Sequence, residues 1–280
     1  MKKSRTLELE ITRLEDLIVA LKSELKKKRN RMGDAARAEA IEIRDSWESL
    51  DTRWWIGVVT VLVALLLGSY LFYMNLGWYA DQRELPPSSD WLLERLPRLN
   101  VIPMLSWGWL MLHGYALVSA LLYSPRRMPF LFFLLSIYLC VHTLYVFLSP
   151  IGAPIRILDM REFDSLFAAV AGEYTFQNEF IFSGHTAVPF LFFLFFERRV
   201  ERAIMLIGSL IMGACVLLTH NHYSVDVLSA YLVGYAIYAL AGTLFTAFVR
   251  PLYLKPPSAR HLHADAGVPV DSRSPSAGIP

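Results

Sequence analysis

Six stretches of this 280-residue chain run for 17 to 23 residues without a Lys, Arg, Asp or Glu: 54–76, 101–123, 128–150, 180–196, 203–219 and 227–249. Helices of that length cross the roughly 30 Å hydrocarbon core of a bilayer. With 55% hydrophobic residues and a mean hydropathy of +0.39, the chain is too apolar for an ordinary water-soluble domain. The expectation is an all-α membrane protein: a six-helix transmembrane bundle over 54–250, an N-terminal helical region over 1–53 and a disordered tail over 251–280 rich in Pro, Ser and Gly. The first apolar run begins too far along the chain for a signal peptide and reads as an uncleaved anchor. Gly184, Gly208 and Gly213 fall in the two shortest runs, where small residues let helices approach closely.

The connections between the runs divide by charge. The N-terminal region, the Arg126-Arg127 turn, the turn at 197–202 and the tail hold 22 of the 27 Lys and Arg, while the other three connections hold five bases against ten acids. Basic connections stay on the cytoplasmic side. Both termini are therefore expected there, with loops 77–100, 151–179 and 220–226 facing the exoplasmic, lumenal or periplasmic side. A net charge of +2 gives no sign of a nucleic-acid partner, and none is expected. Cys140 and Cys215 both lie in apolar runs, which excludes a cysteine-based zinc site.

In the N-terminal region Leu7, Ile11, Leu14, Ile18, Leu21 and Leu25 alternate spacings of four and three, a heptad seam followed by Lys26, Lys27, Lys28, Arg29 and Arg31. That seam reads as a short coiled coil through which copies would associate, or as an amphipathic helix on the bundle or on anionic lipid. His261 and His263, in the tail, carry no metal signal. Phe163, Leu166, Phe167 and Val170 repeat at helical spacing, as in a helix lying at the outer interface. Leu85-Pro86-Pro87 before Asp90, with Trp91 and Leu92 following, gives the first outer loop the same opportunity, so both loops would roof an outer site.

Two stretches put ionisable residues where lipid-embedded helices avoid them: Phe182-Ser183-Gly184-His185-Thr186-Ala187 and His220-Asn221-His222-Tyr223-Ser224-Val225-Asp226. Both lie toward the outer side. If helix runs through the second, Asp226 lies one turn from His222 and holds one imidazole nitrogen, leaving the other as a base or nucleophile. Phosphoryl transfer through a phosphohistidine needs such a His with its tautomer fixed, and a second acid/base group facing the leaving oxygen. His222, Asp226 and His185 supply those three parts. Two other readings of the same residues stay open: a metal site, which this spacing signals weakly, and histidines that hydrogen-bond between helices. His113 and His142 lie deeper in their runs without an acidic neighbour and are expected to make such interhelical bonds.

Ser183-Gly184-His185-Thr186 together with His222-Tyr223-Ser224-x-Asp226-Val227-x3-Tyr231 resembles the paired motifs of the sphingomyelin synthase family, within the wider lipid phosphatase and phosphotransferase superfamily. The Pro-rich stretch ending in Asp90 and the Arg126-Arg127 pair resemble the family's two other motifs more loosely. The resemblance implies a catalytic triad of His185, His222 and Asp226 on the exoplasmic or lumenal side. It also implies a phospholipid donor, a ceramide or diacylglycerol-type acceptor, release of diacylglycerol, and no cofactor or metal. Gln177-Asn178-Glu179 stands where the family has Cys-Gly-Asp, and Val216 stands where the phosphatase branch has Arg; the latter favours transfer to a lipid alcohol over hydrolysis. The expected substrate contacts are Ser183, Gly184, Thr186, Tyr223, Asn178 and Glu179, with Arg156 or Arg161 assisting at the phosphate. Tyr174, Phe176, Phe180 and Tyr223 would either cage a quaternary ammonium or form the outer aromatic belt. A lipid phosphatase, a transporter and an inactive scaffold are the competing classes.

Overall fold

The computed structural model describes residues 2–48, 50–83, 85–148, 151–155, 157, 158, 163, 164, 169, 176 and 180–253, with side chains from residue 21 to 251. The described residues are helical and contain no strand beyond an isolated parallel bridge between Pro87 and Gly152. In chain order the helices are α1 (Lys2–Glu48), α2 (Thr52–Asp81), α3 (Trp109–Tyr123, entered through a π-helical turn at Met104–Gly108), α4 (Met128–Leu148), α5 (Gly184–Phe195), α6 (Arg199–Leu218), α7 (Ser224–Leu244, continued by a π-helical turn at Phe245–Val249) and α8 (Arg250–Tyr253).

Five of these segments are long and apolar enough to cross a membrane: Thr52–Asp81, Met104–Tyr123, Pro125–Leu148, Arg199–Leu218 and Ser224–Val249. The sixth expected span, run 180–196, is not among these five. Its helix, α5, has 12 residues, or about 18 Å at 1.5 Å per residue. Residues 180–183 are not helical. The Ser183 N–H instead donates to the Asp226 carbonyl at 3.1 Å, which ties the head of α5 to the head of α7. Non-helical backbone is tolerated at membrane depth only where protein or water covers it, and α5 meets that condition. Its Ala187, Val188, Leu191, Phe192 and Phe195 are buried against α4, α6 and α7. By contrast α2 exposes Val61, Leu65, Leu67 and Leu71, as a lipid-facing helix does.

Two glycines set the approach of neighbouring helices. A Cβ on Gly208 of α6 would stand 2.7 Å from the Leu112 side chain of α3, and one on Gly213 would stand 3.1 Å from Val227 of α7. Small residues let these helices close around α5.

The ends of the bundle differ. At one end lie the α5 and α7 heads, the α6 terminus and the loop carrying Asp90. At the other, Arg127 pairs with Glu197 at 2.7 Å, and Arg198 packs over the Tyr123 ring at 3.8 Å and faces Glu42 of α1 at 3.9 Å. The Tyr123 hydroxyl donates to Glu39, and Trp47 meets Trp55 edge-on at 5.2 Å. The charge-based grouping of the Arg126-Arg127 and 197–202 turns with the N-terminal region on one end matches this arrangement.

The expected short coiled coil is an uninterrupted helix of 47 residues, with no second helix laid along its heptad stretch among the described residues. Leu21 and Leu25 are exposed. The tail beyond residue 253, the residues Arg156, Arg161, Leu166, Phe167, Val170, Tyr174, Asn178 and Glu179, and with them much of the expected outer-interface helix, lie outside the described residues; Phe163 is exposed.

Candidate active site

Helix α6 ends in a motif that aims the histidine loop. Thr219 is its C-cap, and His220 follows with φ of 56°, in the left-handed region that glycine usually fills. The His220 N–H donates to the Leu217 carbonyl at 3.1 Å and the Asn221 N–H to the Val216 carbonyl at 2.9 Å. These two bonds close the last turn and reverse the chain so that His222 faces α7. His220 is buried, and its Nε2 has no hydrogen-bond partner.

Helix α7 begins at Ser224, so His222 stands just outside it, and the expected contact forms all the same. Asp226, the third residue of the helix, reaches back: its Oδ2 accepts from the Tyr223 N–H at 2.9 Å and lies 3.3 Å from His222 Nδ1. One carboxylate oxygen thus caps the helix and orients the imidazole. Asp226 is fully buried and His222 is 9% exposed. Burial without water strengthens the pairing and makes a broken one costly. With Nδ1 donating to the carboxylate, Nε2 keeps its lone pair.

Ser183 is the N-cap of α5 but makes no side-chain capping bond, and its hydroxyl is buried without a partner among the described residues. The Thr186 hydroxyl is buried without a partner too, while the Thr186 carbonyl accepts from the Ser209 hydroxyl at 2.7 Å. Gly184 adds closeness: a Cβ there would stand 2.9 Å from the Tyr138 hydroxyl. The first N–H groups of α5 and the two hydroxyls form a donor set of the kind that receives an oxyanion. His185 is half-buried, its ring 5.9 Å from that of Trp109, and it lies within electrostatic reach of His222 and His113.

Tyr223 is placed differently from its neighbours in the motif. It is buried, donates to the Gly152 carbonyl at 2.8 Å and accepts from the Ser88 N–H at 2.9 Å, so its hydroxyl joins the loops that carry Ser88 and Gly152. Burial first, then the carboxylates of Asp226 and Asp90, push the hydroxyl's pKa up, which keeps it a donor. Asp90 completes the latch. Its Oδ2 accepts from the Ser224 N–H at 2.6 Å and its Oδ1 from the Leu92 and Leu93 N–H groups at 2.9 and 3.0 Å. Burial acts to raise this carboxyl, but the amides of Leu93, Ser224 and Leu92 with the Ser224 hydroxyl outweigh it and hold the group below its ordinary value.

Other expectations separate. Phe180 packs edge-on against His222 and Tyr223 at 5.8 and 5.7 Å, whereas Phe176 packs on Tyr73 at 5.4 Å, so these aromatics form no single cage among the described residues. The Arg126-Arg127 motif lies at the opposite end. Tyr231 packs its ring against Phe190, with its hydroxyl 3.4 Å from the Ser209 hydroxyl. The interhelical bond expected of His113 is corrected: its Nδ1 donates to the Trp109 carbonyl of its own helix at 2.8 Å. His142 is buried among Tyr73, Tyr138 and Phe182. Sequence reasoning passed over Trp109, although its spacing of four from His113 was available as a sign of a stacked pair. The described residues hold no group of three or more His, Cys, Asp or Glu able to bind a metal.

Residues 178–243, which hold both histidine motifs, match the family model described as PAP2 superfamily C-terminal. The segment that carries the site is thus similar to the PAP2 superfamily. More particularly, the chain is 26% identical over 226 residues to phosphatidylcholine:ceramide cholinephosphotransferase 2 of Rattus norvegicus, and equally to that of Mus musculus; each match covers 68% of this chain and 60% of the relative. The chain is similar to the PAP2 superfamily over residues 178–243 and, over a longer stretch, to these cholinephosphotransferases of the sphingomyelin synthase kind. It matches about 60% of the length of these curated relatives.

Proposed function

We propose that the protein transfers a phospho-head group, phosphocholine or phosphoethanolamine, from a glycerophospholipid to ceramide or a related lipid alcohol and releases diacylglycerol. The observation that carries this reading is the buried His222–Asp226 contact of 3.3 Å beside the buried Ser183 and Thr186 hydroxyls, which have no partner among the described residues, at the head of α5. Asp226 holds the Nδ1–H, and His222 Nε2 attacks phosphorus. The N–P bond forms as the bond to the diacylglycerol oxygen breaks, and His185 gives that oxygen its proton. His185 then takes the proton of the entering alcohol, whose oxygen displaces His222 from phosphorus. The α5 amides with the Ser183 and Thr186 hydroxyls steady the charge that grows on the phosphoryl oxygens. Asn178 and Glu179, just upstream, are assigned to head-group contact. The site faces the exoplasmic, lumenal or periplasmic side and both termini the cytoplasm, on the positive-inside count.

Purified protein in mixed micelles with labelled phosphatidylcholine or phosphatidylethanolamine tests this, with and without ceramide, beside His222→Ala. The expected result is a labelled phospho-sphingolipid that needs ceramide and disappears in the variant. Label released to water without an acceptor would instead assign a hydrolase using the same triad. Turnover unchanged in His222→Ala would overturn both.

A further inference from the structure

His222 has Asp226 to fix its ring, but His185 makes no ring-nitrogen hydrogen bond among the described residues. An acid/base group whose nitrogens are both left for substrate has to be held by packing. The structure holds its ring beside Trp109, at 5.9 Å between centroids and a tilt of 54°. Trp109 is itself packed by His113, whose ring lies 3.7 Å from the indole and whose Nδ1 donates to the Trp109 carbonyl at 2.8 Å. Phe192 of α5 closes the stack edge-on to His113 at 5.5 Å. The series His113, Trp109, His185 thus runs from the middle of α3 to the head of α5.

We propose that Trp109 and His113 are positioning residues for His185. Trp109 sets the His185 ring orientation and offers its π-face to the imidazolium, and His113 holds the indole in place. This rests on the reading of His185 as general acid and base. His185 is charged twice in that cycle, before it protonates the diacylglycerol oxygen and after it deprotonates the acceptor. An aromatic face within about 6 Å favours a cation in both states. His113 suits the supporting role in its neutral form, in which Nδ1–H still donates to the Trp109 carbonyl and no second positive charge stands beside His185.

The test compares Trp109→Leu, Trp109→Phe, His113→Leu and His185→Ala in the full-length protein in mixed micelles. With a natural phospholipid donor and ceramide, Trp109→Leu is expected to lower kcat roughly 10-fold with KM little changed, Trp109→Phe to recover most of it, and His113→Leu to fall between. The discriminating readout is the leaving group. In the first turnover of p-nitrophenyl phosphocholine the departing phenolate needs no protonation, so the Trp109→Leu defect should shrink to less than about 3-fold. Loss of folded protein would depress both donors alike, and equal losses would overturn the proposal. So would Trp109→Leu within 2-fold of wild type on the phospholipid while His185→Ala is inactive. If His185→Ala itself keeps full transfer, the proposed function fails at His185 and the positioning role falls with it.

Discussion

The two ends of the bundle are held by different chemistry. At the histidine end, a chain of buried or half-buried polar bonds runs from Gly152 and Ser88 through Tyr223 to Asp226, with Asp90 on the Ser224 amide. At the other end two ion pairs lie at the surface, where Glu197, partner of Arg127, is 80% exposed and Glu42, partner of Arg198, is 54% exposed; Arg198 also meets the buried Glu201 at 3.2 Å. Water screens the second kind, whereas the first kind leaves an unsatisfied buried group whenever one partner is removed. Geometry at the histidine end is therefore fixed within a single conformation, while the exposed pairs of the far end can be remodelled at small cost.

The sharpest break of this comparison is Asp226→Asn. The amide still accepts from the Tyr223 N–H, so the fold is expected to survive by circular dichroism while transfer falls roughly 10³- to 10⁴-fold, as when an imidazole loses the carboxylate that fixes its tautomer. Next is Tyr223→Phe, which removes the two bonds to the loops that carry Ser88 and Gly152 and leaves the Gly152 carbonyl without its donor; a loss of about 2 kcal/mol in unfolding free energy is expected, read from thermal or denaturant melts in detergent. Asp90→Asn weakens the latch by about 1 kcal/mol. The Asp90 carboxyl is held below its ordinary value, so its contribution is complete above the unfolded value of about 4 and is lost as pH falls through the lower folded value. The melting difference between wild type and Asp90→Asn should accordingly stay constant from pH 8 to about 5 and close below about 4. Smallest is Glu42→Ala, whose carboxylate is 54% exposed and 3.9 Å from Arg198; it is expected to cost under about 1 kcal/mol and to leave transfer unchanged, while limited proteolysis within α1 speeds up. A large activity loss there would show that the two ends are coupled.

The apolar runs and the histidine motifs were legible because each is a local pattern. Five spans follow from length and hydropathy, and the His222–Asp226 contact follows from a spacing of four even though the helix begins between them. Run 180–196 holds a helix shorter than its apolar length for a physical reason: hydropathy reports burial, and the non-helical residues 180–183 are as apolar a lead-in as helix would be. Pro189 and the Ser183-Gly184 pair marked a broken or late helix start but do not alter hydropathy. The reach of Asp90 across 134 positions to the Ser224 amide and the contact of Trp109 with His185 depend on tertiary packing that no local period encodes. Leu7 to Leu25 announced a helix correctly, but a seam does not state what lies against it.

The single Asp226 oxygen shared between the Tyr223 amide and His222 bears on how such a protein would lapse. A descendant that gave up chemistry while keeping its shape would still have to terminate α7, so position 226 is not free to drift. Side chains that accept one hydrogen bond without a charge, Asn foremost with Ser and Thr behind it, satisfy the helix and abandon the imidazole. A relative with Asn at this position and an otherwise intact motif would be a well-folded protein that has lost its reaction. A relative with an aliphatic residue there would have lost the helix start as well.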